Sequence, residues 1–445
     1  MRVAVITPDR LGRQMAGPAI RSLEMARVLA TAHDVRLVTT AGQEGSAFPV
    51  ETAGPGRAAV RSAISWADAY VVQGVVTDQF PEVLRSTKPL VVDLFDPMHV
   101  ELFDQTRGMG PHSRAVVVRD AVRLLRSQIE RGDLFLCSSE RQWDLWMGHL
   151  LALGRVTVAA YDSDPTQREV LVVVPFGLPD SSPPQRGQWS PREQREQIGA
   201  MPDGAQVAVW GGGIYDWLDP LTPIRAVEDL RHQGLDVHLV FLGASHPGGV
   251  RMQAPDRARR LASELGLNGT AVHFLPWTEY SRRQEVLLGA DIGVCAAPAG
   301  LESRYAFRTR FLDYLWCGLP IVSTRGDSLA ELVERHGAGL LVEAGDSRAY
   351  ARAMSDLLDP GRRQLGHDSA LRLSEQFRWS RVLRPLVEYL ADPHASPSRR
   401  VRRRPARRAG SARLVAAVRD LAGGHVAPVS EAIRRRVRAR LERTR

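Results

Sequence analysis

The sequence predicts an α/β protein built from two Rossmann-like, doubly wound domains that face each other across a central cleft. Short apolar strands alternate with helix-like segments along most of the 445 residues. The strands show little alternation of apolar and polar residues, as in parallel sheets covered on both faces, and the whole series occurs twice. Ligands bind such sheets at the carboxyl ends of the strands, so we expect a site in the cleft.

The first series of strands begins at the N-terminus with RVAVITP. A helix-like stretch follows, whose apolar residues share one face: Ile20, Leu23, Ala26 and Ala30. Arg21 lies on its first turns, and both a surface role and a functional role are open for it. Further strand-like runs are DVRLVTT, AYVVQG, PLVVDLF, DLFLCSS and VLVVVPFGLP. We assign residues 1–180 to an N-terminal domain.

A second series follows a Pro- and Ser-rich stretch that predicts a linker. It opens with AQVAVWGGG and continues through LDVHLVFLGAS, TAVHFLPW, ADIGVCAAP, LPIVSTR and GAGLLVEAG. We expect a C-terminal domain over residues 181–376 and a helix over 377–390 that packs back toward the N-terminal domain. Residues 391–445 are Arg-rich and are expected to form a partly disordered or amphipathic tail.

The composition predicts a soluble, cytoplasmic protein. With 44% apolar and 24% charged residues the chain is not a disordered one. It has neither an apolar run of 18 residues for a transmembrane helix nor the features of a secretory signal. Its three cysteines, at positions 137, 295 and 317, lack the spacing of a zinc site and fit reduced thiols.

The positive charge is concentrated in the tail. Residues 395–445 contain 16 arginines and 3 acidic residues, a net charge of +13, whereas the whole chain carries +9. Apolar residues spaced along a helix between Val429 and Leu441 predict a basic amphipathic helix that binds an anionic membrane surface, on the inner face of the cell membrane. The alternative is a disordered basic tail without a specific partner.

The stretch TRFLDYLWCG indicates a ligand site most specifically. If it is a helix, Arg310 and Asp313 share a face near its N-terminus, and Arg308 lies close by. Guanidinium groups and helix N–H groups attract phosphates, and a carboxylate can accept hydrogen bonds from ribose hydroxyls. These residues predict a nucleotide-sugar site. The alternative is an internal Arg–Asp ion pair that caps a helix.

The glycines of VWGGGIYDW do not form a dinucleotide fingerprint, because GxGxxG would need a glycine where Asp216 stands. We interpret them as a turn that a ligand approaches closely, with a turn free of ligand as the alternative. An Asp-x-Asp motif, Asp162 to Asp164, lies in a polar, turn-like stretch far from these segments. We therefore predict no metal site and no cofactor.

Taken together, residues 1–390 resemble the GT-B glycosyltransferases, specifically the retaining family 4, also called glycosyltransferase group 1. DYLWCGLPIVS resembles the family's helix after the donor-binding loop, and VVPFGLP resembles the segment that ends its first domain. The resemblance implies a metal-independent, retaining transfer of a sugar from a nucleotide-diphosphate sugar to an acceptor hydroxyl. A glycan or lipid-linked acceptor is expected, in polysaccharide, glycolipid or cell-envelope glycan synthesis.

The resemblance also implies roles for residues of the second domain. Asp313 matches the carboxylate that binds the donor ribose. Glu302 is the acid nearest to the family's other glutamate, whose position Tyr305 occupies here. Arg308 and Arg310 would supply the charge that the family takes from a basic pair absent from this chain.

Glycines and first-domain residues complete the implied site. The glycines whose backbone would approach the donor are Gly17, Gly212 and Gly213. His99 or Asp96 is the candidate catalytic residue near the transferred sugar, since Phe95 occupies the slot of the family's histidine.

Two other function classes remain open. A nucleotide-sugar epimerase on the same fold would bind the same donor, but it would need carboxylates and a histidine placed for elimination and would release free sugar. A nucleic-acid-binding protein would use the basic tail, but residues 1–394 carry a net charge of −4, so we expect no specific nucleic-acid partner.

Overall fold

The computed structural model describes residues 1–13, 15–43, 51–53, 56–181, 202, 204–243, 252–277 and 282–400. These residues form a seven-stranded sheet and a six-stranded sheet, in which every pairing between strands is parallel. Most of the predicted linker and the tail from residue 401 onward lie outside the described residues.

The first sheet contains strands β1 to β7. Their bounds are β1 Arg2–Thr7, β2 Asp34–Thr39, β3 Glu51–Ala53, β4 Ala69–Gln73, β5 Leu90–Asp93, β6 Leu134–Cys137 and β7 Leu171–Val173. They lie in the order β3-β2-β1-β4-β5-β6-β7. The direction in which the sheet grows therefore reverses between β1 and β4, which is where a doubly wound sheet opens a crevice for ligands.

The second sheet repeats this topology. Its strands are β8 Gln206–Trp210, β9 Val237–Leu242, β10 Val272–Leu275, β11 Ile292–Cys295, β12 Ile321–Thr324 and β13 Gly339–Val342. Their order is β10-β9-β8-β11-β12-β13, so the switch point lies between β8 and β11. The predicted fold class of two doubly wound α/β domains is confirmed.

Helices connect the strands and cover both faces of each sheet. In the first domain they are α1 Gly17–Leu29, α2 Arg57–Trp66, α3 Val76–Gln79, α4 Glu82–Arg85, α5 Met98–Gln105, α6 Pro111–Arg131, α7 Glu140–Ala152 and α8 Val158–Ser163. The second series is α9 Leu221–His232, α10 Ala254–Glu264, α11 Arg283–Leu287, α12 Leu301–Tyr305, α13 Arg310–Trp316, α14 Ser328–Arg335, α15 Ser347–Leu358, α16 Pro360–Ser374, α17 Trp379–Val382 and α18 Arg384–Ala391, with a 3₁₀ turn at Glu375–Phe377. Within the described part of the chain, none of them is long and apolar enough to cross a membrane.

Burial on both faces explains why the strands are continuous apolar runs. Val3 and Val5 of β1 belong to the core that includes residues of α1, whereas Ala4 and Ile6 belong to the core on the α2 side. Successive side chains of a strand point to opposite faces. A strand that has a core on each face therefore needs an apolar residue at every position.

Arg21 is a buried anchor of the first domain, which is neither the surface role nor the ligand-binding role that the sequence left open. Its side chain is 0% exposed and donates from Nε and Nη2 to the two carboxylate oxygens of Asp93, at 2.7 and 3.0 Å. The same guanidinium donates to the carbonyls of Val174 and Pro175 at 2.9 Å. It thereby joins α1 to the ends of β5 and β7.

The chain returns to the first domain after the second sheet. The N–H of Leu178 donates to the carbonyl of Phe377 at 2.6 Å, and the N–H of Trp379 donates to the carbonyl of Leu178 at 2.9 Å. A Cβ at Gly177 would lie 2.4 Å from the indole of Trp379, so only glycine fits there. The helix predicted over 377–390 appears as α17 and α18, of which α17 contacts α1.

The first residues of the predicted tail are packed against the first domain. The N–H of Ser396 donates to Asp133 at 2.9 Å, and Arg399 donates to both oxygens of the same carboxylate at 3.2 Å. Asp133 is fully buried and also accepts from Arg131 at 2.8 Å. The last described residues, 396–400, are therefore held by the N-terminal domain.

We predict that Arg21→Ala lowers the free energy of unfolding by about 3–5 kcal/mol, because it leaves the buried carboxylate of Asp93 without its counter-charge. Urea denaturation of both proteins measures this difference. Arg61→Ala, which removes an exposed ion pair with Glu82, is the matched control and should cost less than about 1 kcal/mol. Equal effects of the two substitutions would contradict the anchoring role of Arg21.

Candidate functional site

The carboxyl ends of the two sheets meet across a cleft. Ser328, at the start of α14 after β12, donates through Oγ to the Oγ of Ser139, which caps α7 after β6, at 3.2 Å. Gln142 of α7 donates to the carbonyl of Tyr305 in the second domain at 2.8 Å. The segments that follow strands in both domains are therefore close together, as predicted.

The glycine turn after β8 is held by a buried tyrosine. Gly211 donates its N–H to the hydroxyl of Tyr314 at 2.6 Å, and that hydroxyl donates to the carbonyl of Val294 at 3.1 Å. A Cβ at Gly293 would lie 2.5 Å from the ring of Tyr314, so the ring needs that glycine. Gly212 has φ +76°, in the left-handed region that favours glycine. The turn is thus fixed on one side by Tyr314.

Arg310 lies beside this turn. Its Nη2 donates to the carbonyl of Gly213 at 3.0 Å, and its guanidinium carbon lies 4.9 Å from the centre of the Trp210 ring. The other terminal nitrogen, Nη1, is buried and makes no hydrogen bond within the described residues. A buried guanidinium nitrogen that lacks an acceptor is costly, so a ligand oxygen at this position would be strongly favoured.

Arg308 and Glu302, both predicted to contact the donor, are paired with each other. Arg308 donates to the two oxygens of Glu302 at 2.8 and 2.6 Å, and the residues are only 8% and 5% exposed. Desolvation lowers the pKa of Arg308, but the charge and hydrogen bonds of Glu302 outweigh it and raise the pKa overall. The structure therefore brings both residues to the cleft as a largely neutralised pair.

Asp313 lies on α13 as predicted, but its ion-pair partner is not Arg310. Its Oδ1 accepts a hydrogen bond from Nε of Arg283, on α11, at 2.7 Å. The pair therefore joins two helices and is not the helix-capping pair within TRFLDYLWCG that was the predicted alternative. Arg283 lies 30 residues before Asp313 in the chain, and no local pattern in the sequence indicated the pairing.

Acidic residues of the first domain line the opposite side of the cleft. Asp96 is partly accessible to solvent, but the surrounding protein groups desolvate its carboxyl and, together with the charges of Asp93 and Asp9, raise its pKa to about 7. Burial raises the pKa of Asp9 to about 6. Glu101 also has a raised pKa, through burial and then through the charges of Asp96 and Glu302. Asp96 was predicted from the sequence as a candidate site residue, whereas Asp9 and Glu101 were not.

His99 packs against its own domain. Its ring centre lies 5.3 Å from that of Trp146 and 5.1 Å from that of His149, both on α7. Burial, and then the neighbouring His149, lowers the pKa of His99 to about 4, so the imidazole is uncharged at neutral pH. Its Nδ1 is buried without a hydrogen bond in the described part of the chain. Its predicted catalytic role stays a prediction.

Gly17 is the first residue of α1. A Cβ at this position would meet no atom within 4 Å, so packing within the protein does not require glycine there. Its predicted approach to the diphosphate also stays a prediction. Of the Asp-x-Asp pair, Asp164 accepts from Thr166 and Glu169 as predicted for a turn, whereas Asp162 lies in α8 and not in a turn.

Comparison with known proteins relates the chain to sugar-transferring enzymes. Residues 209–360 match the model of the family described as Glycosyl transferases group 1. A D-inositol 3-phosphate glycosyltransferase of Acidothermus cellulolyticus is 30% identical over 220 residues, which are 48% of this chain and 47% of that protein. The chain spans about half the length of the curated relatives that it matches.

Solved structures share the fold over both domains. Sucrose-phosphate synthase from Thermosynechococcus elongatus superposes with a TM-score of 0.62 at 16% identity, covering 88% of this chain and 98% of that one. Anabaena Alr3699/HepE in complex with UDP-glucose gives 0.59 at 17% identity, with 88% and 99% covered. The predicted GT-B fold and the resemblance to group 1 glycosyltransferases are confirmed.

We predict that Asp96→Asn weakens the dependence of stability on pH. The carboxyl has a pKa of about 7 when folded against an ordinary value of 3.8, so its contribution to stability is present below about pH 4 and is lost as the pH rises through 7. Urea denaturation at pH 4 and pH 8 should show that the free energy of unfolding falls less between these pH values in the variant than in the parent. Similar stabilities at pH 4, where both side chains are neutral, serve as the internal control. An unchanged fall would refute the raised pKa.

Proposed function

We propose that this protein is a glycosyltransferase that moves a sugar from a nucleotide-diphosphate sugar to an acceptor hydroxyl, with retention of the anomeric configuration. The observation that carries the proposal is Arg310 at the switch point of the second sheet. There one buried nitrogen of its guanidinium lacks an acceptor within the described residues, next to the carbonyl of Gly213. The match of residues 209–360 to group 1 glycosyltransferases supports the same reaction class.

In this proposal the second domain binds the nucleotide. Arg310 and the amides of Gly212 and Gly213 contact the diphosphate, and Asp313 accepts hydrogen bonds from the ribose hydroxyls. A turn fixed by Tyr314 presents its N–H groups without rearrangement, and preorganised donors of this kind are the main source of electrostatic catalysis. A solved structural neighbour, HepE, contains UDP-glucose, which favours a sugar nucleotide of this type as donor.

The chemical step breaks the bond between the anomeric carbon and the diphosphate oxygen. The acceptor oxygen attacks the anomeric carbon on the face from which the diphosphate leaves, and it loses its proton as the new bond forms. Arg310 stabilises the charge that develops on the leaving diphosphate. Asp96 is the proposed proton acceptor, because a pKa of about 7 suits a general base at neutral pH. Since guanidinium and amide groups supply the positive charge, we propose that no metal ion is required.

We predict that Arg310→Ala lowers donor affinity and turnover together, each by at least about tenfold, because the guanidinium faces the diphosphate in both the ground and the transition state. Calorimetry with nucleoside diphosphates and initial-rate measurements with nucleotide sugars test this. Arg362→Ala removes an exposed ion pair with Asp356 on the outer helices and is the matched control. If Arg310→Ala binds nucleotide like the parent, the proposed donor site is wrong.

We also propose that the acceptor is a glycan or is lipid-linked, in polysaccharide, glycolipid or cell-envelope glycan synthesis, and that the tail holds the enzyme at an anionic membrane. Of the tail's 16 arginines, 14 come after residues 396–400, a segment that Asp133 fixes to the first domain. That domain would bind the acceptor. A membrane contact there would therefore bring the acceptor side of the cleft close to lipid.

We predict that the full chain sediments with anionic liposomes and that a chain ending at Arg400 stays in the supernatant. Each cationic residue near an anionic leaflet contributes about 1 kcal/mol, so several arginines suffice for stable binding. Neutral vesicles and high salt are the controls, since screening should release the protein. Equal sedimentation of both chains would contradict membrane binding by the tail and would leave the transferase proposal intact.

A further inference from the structure

We infer that Arg283 is a positioning residue of the nucleotide site: it holds the carboxylate of Asp313 in the orientation that binds the donor ribose. The inference rests on the proposed function, in which Asp313 accepts hydrogen bonds from the ribose hydroxyls. Neither the sequence pattern nor the family resemblance assigned Arg283 a role.

The contact between the two side chains is short and one-sided. Nε of Arg283 donates to Oδ1 of Asp313 at 2.7 Å. No other hydrogen bond to the Asp313 carboxylate is formed within the described residues, so Oδ2 remains open to a ligand. The side chain of Arg283 is 13% exposed and that of Asp313 is 31% exposed. The arginine is thus more buried than the carboxylate that it holds, and the Asp313 side chain keeps accessible surface for a ligand.

A second contact fixes the arginine itself. Its guanidinium carbon lies 5.2 Å from the centre of the Trp316 ring. Trp316 and Asp313 are three residues apart on α13 and therefore project from the same face of the helix. Arg283 interacts with both: it stacks on the ring as a cation and donates to the carboxylate. An arginine held at two points limits the rotation of Asp313 more than a single hydrogen bond would.

The choice of arginine also connects the nucleotide site to the first domain. Glu24 of α1 is a buried carboxylate. Burial raises its pKa overall, and the charges of Arg27 and Arg283 partly offset this increase. Arg283 therefore lies within electrostatic reach of the first domain while it contacts Asp313. A permanently charged arginine can donate a hydrogen bond to Asp313 and also stabilise the ionised form of Glu24 through its charge, whereas a neutral donor could not do the latter.

The test measures how strongly the protein distinguishes ribose from dideoxyribose. Binding of UDP, GDP and ADP is measured by calorimetry, and the tightest of them is compared with its 2′,3′-dideoxy analogue. We expect the parent to prefer the ribonucleotide, and we expect Arg283→Gln to reduce that preference about tenfold. Arg283→Lys, which keeps the charge, should restore part of the preference. A general loss of structure would weaken the binding of the ribonucleotide and of its dideoxy analogue to the same extent.

Arg282→Gln is the matched control, because Arg282 lies next in the chain and pairs with Glu285 at the surface. It should leave the ribose preference unchanged. The double variant Arg283→Gln with Asp313→Asn should show no further loss of preference beyond Asp313→Asn alone, since Arg283 acts through Asp313.

The outcomes separate the inference from the function on which it rests. If the parent binds none of the three nucleotides, the proposed function itself is overturned. If the parent binds a nucleotide and prefers ribose, but Arg283→Gln keeps the full preference, the positioning role is overturned and the function stands. A parent that binds without any ribose preference likewise overturns the positioning role.

Discussion

The buried guanidinium of Arg21 determines the geometry on which the cleft depends. It ties α1 to Asp93 and to the backbone that follows β7, and it lies 4.6 Å from the centre of the Phe95 ring. Phe95 packs in turn against Phe307 of the second domain, with 6.1 Å between ring centres. A buried ion pair is stable only when its donors and acceptors are matched. The position of Phe95, and with it the contact between Phe95 and Phe307 of the two domains, therefore depends on the buried ion pair of Arg21.

The two arginines that precede and begin α13 have opposite electrostatic environments. Arg308 is matched by both oxygens of Glu302, so little of its charge is left for a ligand. Within the described residues, Arg310 donates to a carbonyl and lies beside an aromatic ring, and its Nη1 is buried without an acceptor. Of these two arginines, Arg310 is therefore the one available to a ligand anion, whereas Arg308 links α12 to the segment that precedes α13. Removing the carboxylate of Glu302 would therefore leave the guanidinium of Arg308 available to an anion as well.

The sequence was sufficient for the fold because Val3 to Ile6 of β1 each face a core, and similar apolar runs recur in both halves. It also located α13, since the spacing in TRFLDYLWCG is helical. It could not supply the partners of charged residues, because these lie far apart in the chain: 30 residues separate Arg283 from Asp313, and 72 separate Arg21 from Asp93. His99 illustrates the same limit, because only the packing of α5 on α7 determines what surrounds it.

The raised pKa values in the first domain bear on how the cleft can accept an anionic donor. The charges of Asp93 and Asp9 raise the pKa of Asp96 after burial, and the charges of Asp96 and of Glu302 in the second domain raise that of Glu101. With a pKa of about 7, Asp96 retains part of its proton near neutral pH and repels a diphosphate less than an ionised carboxylate would. A bound diphosphate adds negative charge and would raise these pKa values further. Nucleotide binding, proton uptake and the approach of the two domains are therefore thermodynamically linked through the same acids.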